Sequence, residues 1–317
     1  MQERNIHNKP LSKKDKRLIW ATTRSILETD QFKHKRHGKK SKSNWNYFKR
    51  IINFLLWGTK IVGLYKRGYA NVQNIEIKKH DLYFDNLPTN FEGFRILHLT
   101  DLHIDAMPEL VHSILHVVDQ VEFDMAVLTG DYRQDNSGDF TQIINPIAQI
   151  SELLQKEFPP LAILGNHDTY LMIDYEEELK MRFLINESVQ IERDGQVITF
   201  AGTDDAFSYY TDATLQTFDD KPGFKIALVH SSELADVASE NGYNLYLCGH
   251  THGGQVCLPG GKALISHQQE GKGYISGFWK LGEMTGYTSN GCGVSGVPLR
   301  FNCPGEITVF TLKKKRP

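Results

Sequence analysis

The sequence has few cysteines, and their spacing does not fit a zinc site. Its 317 residues contain only Cys248, Cys257, Cys292 and Cys303. Four cysteines in a chain of this length do not form a disulfide framework, and the missing C-x-x-C pattern argues against structural zinc. We therefore expect free thiols in a reducing compartment.

Long hydrophobic runs are also missing. The first 44 residues contain no apolar stretch of the kind found in a secretory signal peptide, and the apolar part of residues 45–68 is too short to span a bilayer comfortably. No G-x-x-x-x-G-K-[ST] sequence occurs, which excludes a P-loop nucleotide site, and no internal repeat is present. The composition, 40% hydrophobic and 11% aromatic, is enough for a substantial globular core.

The net charge of −2 conceals two oppositely charged parts. Residues 1–80 carry a net charge of +15, and residues 81–317 carry −17. Residues 1–44 are basic and polar, and only 18–27 have the pattern of a short helix. We expect residues 1–44 to form a disordered tail that attracts an anionic partner, either lipid or nucleic acid.

Residues 45–68 are predicted to form an amphipathic helix in a membrane interface. Large apolar side chains dominate this segment, and its polar ones fall four or seven apart on one stripe: Lys49, Asn53, Lys60 and Arg67. A basic flank would add affinity for anionic lipid. The alternative is a helix that packs on the domain or on a partner protein.

Residues 69–317 are predicted to form one α/β domain. Apolar runs indicate strands near 74–84, 94–100, 124–129, 161–164, 197–202, 225–229, 243–248 and 306–312. Helical periodicity fits 108–120, 140–157, 174–186 and 232–241. Alternating strands and helices indicate a layered α/β architecture. Residues 253–305 hold many glycines and no long periodic run, so we expect loops over the site.

Five polar clusters follow apolar strand-like runs. In Leu161-Ala-Ile-Leu-Gly-Asn-His-Asp168, a short apolar run leads into a glycine and three side chains that can bind metal or move protons. The other clusters are Asp101-Leu-His103, Gly130-Asp131, His230 and Gly249-His-Thr-His252. In open α/β sheets ligands bind at the carboxyl ends of strands. D-x-H and H-x-H spacing places both side chains on one side of an extended chain.

The types of side chain in these clusters indicate two divalent metal ions. Carboxylate, amide and imidazole ligands without thiolate suit Mn²⁺, Fe or Zn²⁺ more than Ca²⁺. Seven candidate ligands are too many for one tetrahedral ion and suit two ions that share a carboxylate. Two metals about 3.5–4 Å apart can clamp the attacking and leaving oxygens of a phosphoryl transfer.

The ordered motifs D-x-H, G-D, G-N-H-D, H and G-H-T-H resemble the calcineurin-like metallophosphoesterase family over residues 94–252. The resemblance implies a four-layer α/β/β/α sandwich and a metal-dependent phosphoesterase. It implies one metal on Asp101, His103 and His252, another on Asn166, His230 and His250, and Asp131 as the bridge. It also implies His167 as general acid or charge stabiliser near the leaving oxygen, oriented by Asp168.

Flanking motifs resemble the membrane-associated bacterial branch that contains YkuE- and YaeI-type phosphodiesterases. They are Gly202-Thr-Asp-Asp205 and the stretches at 249–255, 276–282, 290–300 and 306–307. Arg300 is the candidate phosphate contact, with a structural salt bridge as its alternative. Some relatives hydrolyse UDP-2,3-diacylglucosamine, a lipid A precursor. The resemblance thus implies a lipid-linked phosphodiester or pyrophosphate, hydrolysed at the cytoplasmic face of the inner membrane.

Two other functions compete with this interpretation. One is a soluble phosphodiesterase or nucleotidase whose basic tail binds nucleic acid. The other is a metal-bound scaffold without catalysis. The complete ligand set and His167 argue against the scaffold, which would have no chemical need for either. No obligate protein partner is evident from the sequence.

Overall fold

The computed structural model describes residues 11–29, 54, 56–218, 222–263 and 274–315. Two six-stranded sheets form the centre of the fold. The helices are Lys13–Thr29 (α1), Tyr65–Gln73 (α2), Leu110–Val118 (α3), Ile144–Leu154 (α4), Glu176–Leu179 (α5), Asp212–Leu215 (α6) and Ala235–Glu240 (α7). The strands are Glu76–Phe84 (β1), Arg95–Leu99 (β2), Met125–Leu128 (β3), Leu161–Ala162 (β4), Arg182–Phe183 (β5), Glu187–Arg193 (β6), Gln196–Gly202 (β7), Phe224–Leu228 (β8), Leu245–Cys248 (β9), Gly277–Leu281 (β10), Met284–Thr288 (β11) and Glu306–Lys314 (β12).

Both sheets are mixed, with parallel strands at the centre. The first has the order β1-β12-β2-β3-β4-β5, and the second has the order β10-β11-β9-β8-β7-β6. Strands β2 to β5 run parallel, as do β11, β9, β8 and β7. Because parallel strands end at the same edge, each sheet presents the carboxyl ends of its central strands together.

The core shows how the layers stack. Alternate residues of a strand point to opposite faces of the sheet. Ile96 of β2 therefore packs in the apolar cluster between the sheets, which also contains Ile226 of β8. Its neighbour Leu97 packs under α3 and α4 on the outer face, and α7 covers the outer face of the second sheet. The order is helix, sheet, sheet, helix, which confirms the predicted fold class.

The N-terminal tail contains a helix that packs on the domain. Helix α1 is longer than the short helical pattern predicted at residues 18–27, and it buries Trp20 and Arg24. Arg17 pairs with Glu176 and Glu187 on the domain surface. The expectation of disorder is therefore wrong for Lys13–Thr29, because its basic residues meet acidic partners distant in sequence. The rest of residues 1–44 lies outside the described ranges.

The helix predicted at 45–68 is interrupted within its described part. Residues 56–61 are helical, the chain turns at Gly63 with φ of 73°, and α2 follows. Helix α2 buries Gly68 and Val72 and so belongs to the domain, which makes the predicted boundary at residue 68 wrong. Within the described ranges, no helix has both the length and the apolar character needed to cross a membrane. Residues 45–53 and 55 are outside these ranges.

Two further expectations about secondary structure need correction. The predicted helix at 174–186 ends at Leu179, because Lys180 adopts φ of 50° and β5 follows. The predicted loops at 253–305 include the hairpin of β10 and β11. A glycine weakens the strand signal, but Gly286 is required here, since a Cβ would overlap the ring of Trp279.

Candidate metal centre

Six of the predicted ligand side chains form two adjacent, buried groups. The first group is Asp101, His103 and His252, and the second is Asp131, His230 and His250. Within each group the possible ligand atoms all lie within 4.8 Å of one another. They follow β2, β3, β8 and β9, so the carboxyl ends of both sheets contribute to one site, as the sequence predicted.

Asp131 lies between the two groups. Its Oδ2 is 3.6 Å from His103 Nε2 and 3.2 Å from His230 Nε2. Asn166 joins the second group, because its Oδ1 is 3.1 Å from His230 Nε2. One carboxylate thus faces both groups and could serve two ions, and the seventh predicted ligand lies beside the second group.

The tautomers of two histidines fit a metal. His103 Nδ1 lies 2.8 Å from the carbonyl oxygen of Arg133, and His230 Nδ1 lies 2.8 Å from that of Thr129. Each Nδ1 therefore carries a hydrogen that it donates, so each Nε2 faces the site and offers a lone pair to a metal once it is deprotonated. Metal-bound histidines commonly have such a carbonyl partner, which fixes the ring.

The charges of the centre are coupled. Burial is the largest single influence on His230 and Asp131 and opposes the ionisation of both, but the combined attraction of the opposite charges around each group is larger. It raises the pKa of His230 to about 10 and holds the pKa of Asp131 well below its usual range. Burial also raises the pKa of Asp101 to about 6 and lowers the pKa of His103 to about 4. Since metal ligands must be deprotonated, metal binding here displaces a proton from His230.

Most of these ligands have an unusual backbone conformation. Positive φ angles occur at Asp101 (52°), His103 (42°), Asp131 (58°), His250 (72°) and His252 (52°). Non-glycine residues in this region cost about 1–3 kcal/mol each and persist where the surroundings enforce them. We expected the D-x-H and H-x-H ligands to converge from an extended chain. They lie instead on residues with a left-handed backbone conformation.

Glycines make room for the carboxylates. A Cβ on Gly249 would overlap Asp101 Oδ2, and a Cβ on Gly165 would overlap Asp131 Oδ1. Both glycines precede a ligand in the motifs G-H-T-H and G-N-H-D. Their role is close approach between loops of different strands, which explains why the motif includes glycine at these points.

His167 and Asp168 have different surroundings from those expected. His167 Nδ1 lies 2.5 Å from the carbonyl oxygen of Gln134, and its ring centre is 5.0 Å from that of His103. Asp168 does not contact the His167 ring. Its carboxylate accepts backbone N–H bonds of 2.7–2.8 Å from Gly165, Asp131 and Tyr132. The expected orienting role of Asp168 is therefore wrong: it fixes the loop backbone, and Gln134 orients the histidine.

Arg300 is not available to a substrate. It is fully buried, and its guanidinium donates to backbone carbonyls, at 2.6 Å to Gly293 and 2.7 Å to Asn290. It also donates to the carbonyl of the metal-ligand candidate His252 at 3.3 Å. Its predicted phosphate contact is wrong, and so is the alternative of a salt bridge. The side chain supports the loops from beneath.

Helix α1 contacts the loops of this centre, which was not predicted from the sequence. Trp20, Arg24 and Glu28 recur every four residues and all face the domain, Arg24 and Glu28 at residues 165–170 and Trp20 at Asp204. This spacing was the available signal for a helix with one functional face. Asp204, in the motif Gly202-Thr-Asp-Asp205, accepts from both Trp20 and Arg24.

Known proteins are similar to this chain in sequence. The family model of calcineurin-like phosphoesterases matches residues 94–254. The chain belongs to this family. It is 31% identical to the uncharacterized metallophosphoesterase YkuE of Bacillus subtilis (strain 168), over 77% of this chain and 88% of that protein. It is 27% identical to phosphodiesterase YaeI of Escherichia coli (strain K12), over 75% of this chain and 88% of that protein.

Among solved structures, calcineurin-like phosphoesterase YfkN from Bacillus subtilis matches with a TM-score of 0.39 and 14% identity. The match covers 63% of this chain and 81% of that one. Family membership and the two ligand groups together make the protein a metallophosphoesterase hydrolase with a candidate dinuclear centre.

The close approach of Gly249 to Asp101 gives a test of the centre. Gly249→Ala would push the Asp101 carboxylate away, so metal affinity at the first group should fall by about 10–100-fold, the range seen when groups that orient ligands are lost. Calorimetric titration of metal-free protein with Mn²⁺ measures this. Gly58→Ala is the control, because its Cβ would meet nothing within 4 Å. Unchanged affinity in Gly249→Ala would contradict the assignment of Asp101.

Proposed function

We propose that this protein is a dinuclear metal-dependent phosphodiesterase that hydrolyses a lipid-linked phosphodiester or pyrophosphate at a membrane surface. The observation that carries the catalytic part is the position of Asp131, whose Oδ2 lies within 3.6 Å of ligand atoms in both groups. A pair of ions sharing one carboxylate suits attack by water on a phosphoryl group. The name of the relative YaeI, a phosphodiesterase, supports a diester substrate.

The residues of this chain have distinct tasks in that reaction. Bound metals would lower the pKa of a water and stabilise negative charge on the phosphoryl oxygens. Asp101, His103 and His252 would hold one ion, Asn166, His230 and His250 the other, and Asp131 both. His167 would act on the leaving group. With its Nδ1 hydrogen donated to Gln134, its Nε2 is the ring atom that can exchange a proton with the leaving oxygen.

His167→Ala tests this role. The backbone N–H of residue 167, which donates to Asp131 Oδ1 at 2.8 Å, survives the substitution, so both metals should remain bound. Turnover should fall by about 10²–10⁴-fold for an alkyl leaving group, and less for p-nitrophenolate, which departs without a proton. The exposed His112→Ala is the control. Equal losses with both leaving groups would favour charge stabilisation over proton transfer.

The membrane part rests on exposed apolar side chains beside a basic segment. Phe54, Trp57, Ile61 and Val62 are 59–67% exposed. They lie within the N-terminal 80 residues, which carry +15. Apolar side chains that enter the lipid interface and basic ones that attract anionic headgroups reinforce each other. The cytoplasmic face of the inner membrane is the location that fits this proposal.

Vesicle flotation tests the membrane part. The full chain should float with vesicles containing anionic phosphatidylglycerol and much less with neutral phosphatidylcholine. Replacing Trp57 and Ile61 by Gln should weaken binding by about tenfold or more, since each buried large apolar side chain is worth about 1.5–3 kcal/mol. Phe278→Gln, which changes a 44% exposed side chain on β10, is the control. Retention on nucleic acid without flotation would instead favour the soluble alternative.

Hydrolysis of three substrates in parallel tests the activity. They are bis-p-nitrophenyl phosphate, p-nitrophenyl phosphate and UDP-2,3-diacylglucosamine, each with Mn²⁺ and with EDTA. We expect EDTA-sensitive hydrolysis of the diester over the monoester, and a higher kcat/KM for the lipid nucleotide. Activity on the generic diester alone would contradict that lipid substrate and leave the metal-dependent chemistry intact. Two bound metals without hydrolysis of any of the three would support the scaffold alternative.

A further inference from the structure

Arg24 of α1 connects two loops beside the second metal group. Its side chain is 1% exposed. One guanidinium nitrogen donates to the carbonyls of Gly165 and Asp168, at 3.1 and 3.0 Å. Another donates to Asp204 Oδ1, and the guanidinium carbon lies 3.5 Å from the centre of the Tyr209 ring. One side chain therefore holds both ends of the loop at residues 165–168, here called the GNHD loop.

The neighbouring residues of α1 extend this contact. Glu28 accepts hydrogen bonds of 2.8 Å from the Thr169 hydroxyl and the Tyr170 N–H, and it pairs with Arg24 Nε at 2.9 Å. Trp20 Nε1 donates to Asp204 Oδ2 at 2.7 Å. Helix α1 thus binds the GNHD loop and the residues directly after it through several polar contacts.

The GNHD loop depends on such support because it has no regular structure of its own. Strand β4 ends at Ala162, and the loop must then bring Asn166 Oδ1 to 3.1 Å from His230 Nε2. The Asp168 carboxylate holds backbone N–H groups of this region, whereas Arg24 holds its carbonyls. A guanidinium can satisfy several acceptors at once in a fixed plane, which a lysine ammonium cannot reproduce.

We propose that Arg24 is a positioning residue for the second metal group, so that α1 contributes to metal binding. Arg24 contacts no metal ligand side chain. It acts through the carbonyls on either side of Asn166 and His167, and it leaves Asp101, His103 and His252 untouched. The link to turnover rests on the proposed function, but the link to metal binding does not.

The test compares Arg24→Met with Arg17→Met in the full chain. Arg17 is the matched control because it docks the same helix, through Glu176, Glu187 and the Phe183 carbonyl, without touching the GNHD loop. Calorimetry with Mn²⁺ should show that Arg24→Met keeps one site at wild-type affinity and weakens the other about tenfold or more. The spin-coupled electron paramagnetic resonance signal of paired Mn²⁺ should give way to that of a single ion. Arg17→Met should retain both sites.

A milder variant covers the case in which Arg24→Met does not fold. Arg24→Lys keeps the charge beside Asp204 but cannot donate to Gly165, Asp168 and Asp204 at once. It should weaken metal binding at the second site by an intermediate factor. The kcat should fall by a larger factor than the KM rises. Two intact sites in either soluble Arg24 variant would overturn the proposal. Equal losses in the Arg17 and Arg24 variants would overturn it too, since helix docking alone would then explain both. If the wild type binds two ions but hydrolyses nothing, the proposed function fails while the metal readouts still decide the role of Arg24.

Discussion

The buried ligand atoms of the metal centre face one another at distances at which a proton or a metal ion must lie between them. His103 Nε2 lies 3.2 Å from His252 Nε2, and His230 Nε2 lies 3.1 Å from the Asn166 Oδ1 atom. Electronegative atoms this close in a low-dielectric interior repel unless a proton or a metal ion lies between them. The surrounding loops must therefore hold these polar side chains together in a buried site before a metal binds. Much of the fold at this edge of the sheets serves that requirement.

Two buried charged side chains hold these loops in place by hydrogen bonds to the backbone. Asp168 collects N–H groups from three positions, and Arg300 collects carbonyls that include that of His252. Leaving such a buried group without its partner costs about 1–3 kcal/mol each time. Asp168 lies in a motif that the sequence linked to catalysis, and Arg300 lies in one linked to substrate binding. Their contacts show that a charged residue in an active-site motif can serve the backbone alone, and its hydrogen-bond partners are what distinguish the two cases.

The sequence was informative where a periodic pattern and a local motif coincided. Apolar runs located the ends of β2, β3, β8 and β9, and the polar residues after them marked the metal centre. Two kinds of structural feature could not be predicted from periodic patterns or local motifs. The positive φ angles of Asp101 and His252 are imposed by tertiary contacts. The pairing of Arg24 with Asp204 joins residues 180 positions apart, so composition alone indicated a disordered tail in place of a docked helix.

The two sheets are joined by the centre as well as by their core. Each metal group takes ligands from both sheets: Asp101 and His103 of the first sheet meet His252 of the second, and Asp131 meets His230 and His250. The apolar layer between the sheets fixes the distance across which these side chains must reach, because packed interiors deform little. A metal pair bound there would cross-link the sheets at their carboxyl edge. The core between the sheets therefore sets the spacing that the metal ligands require.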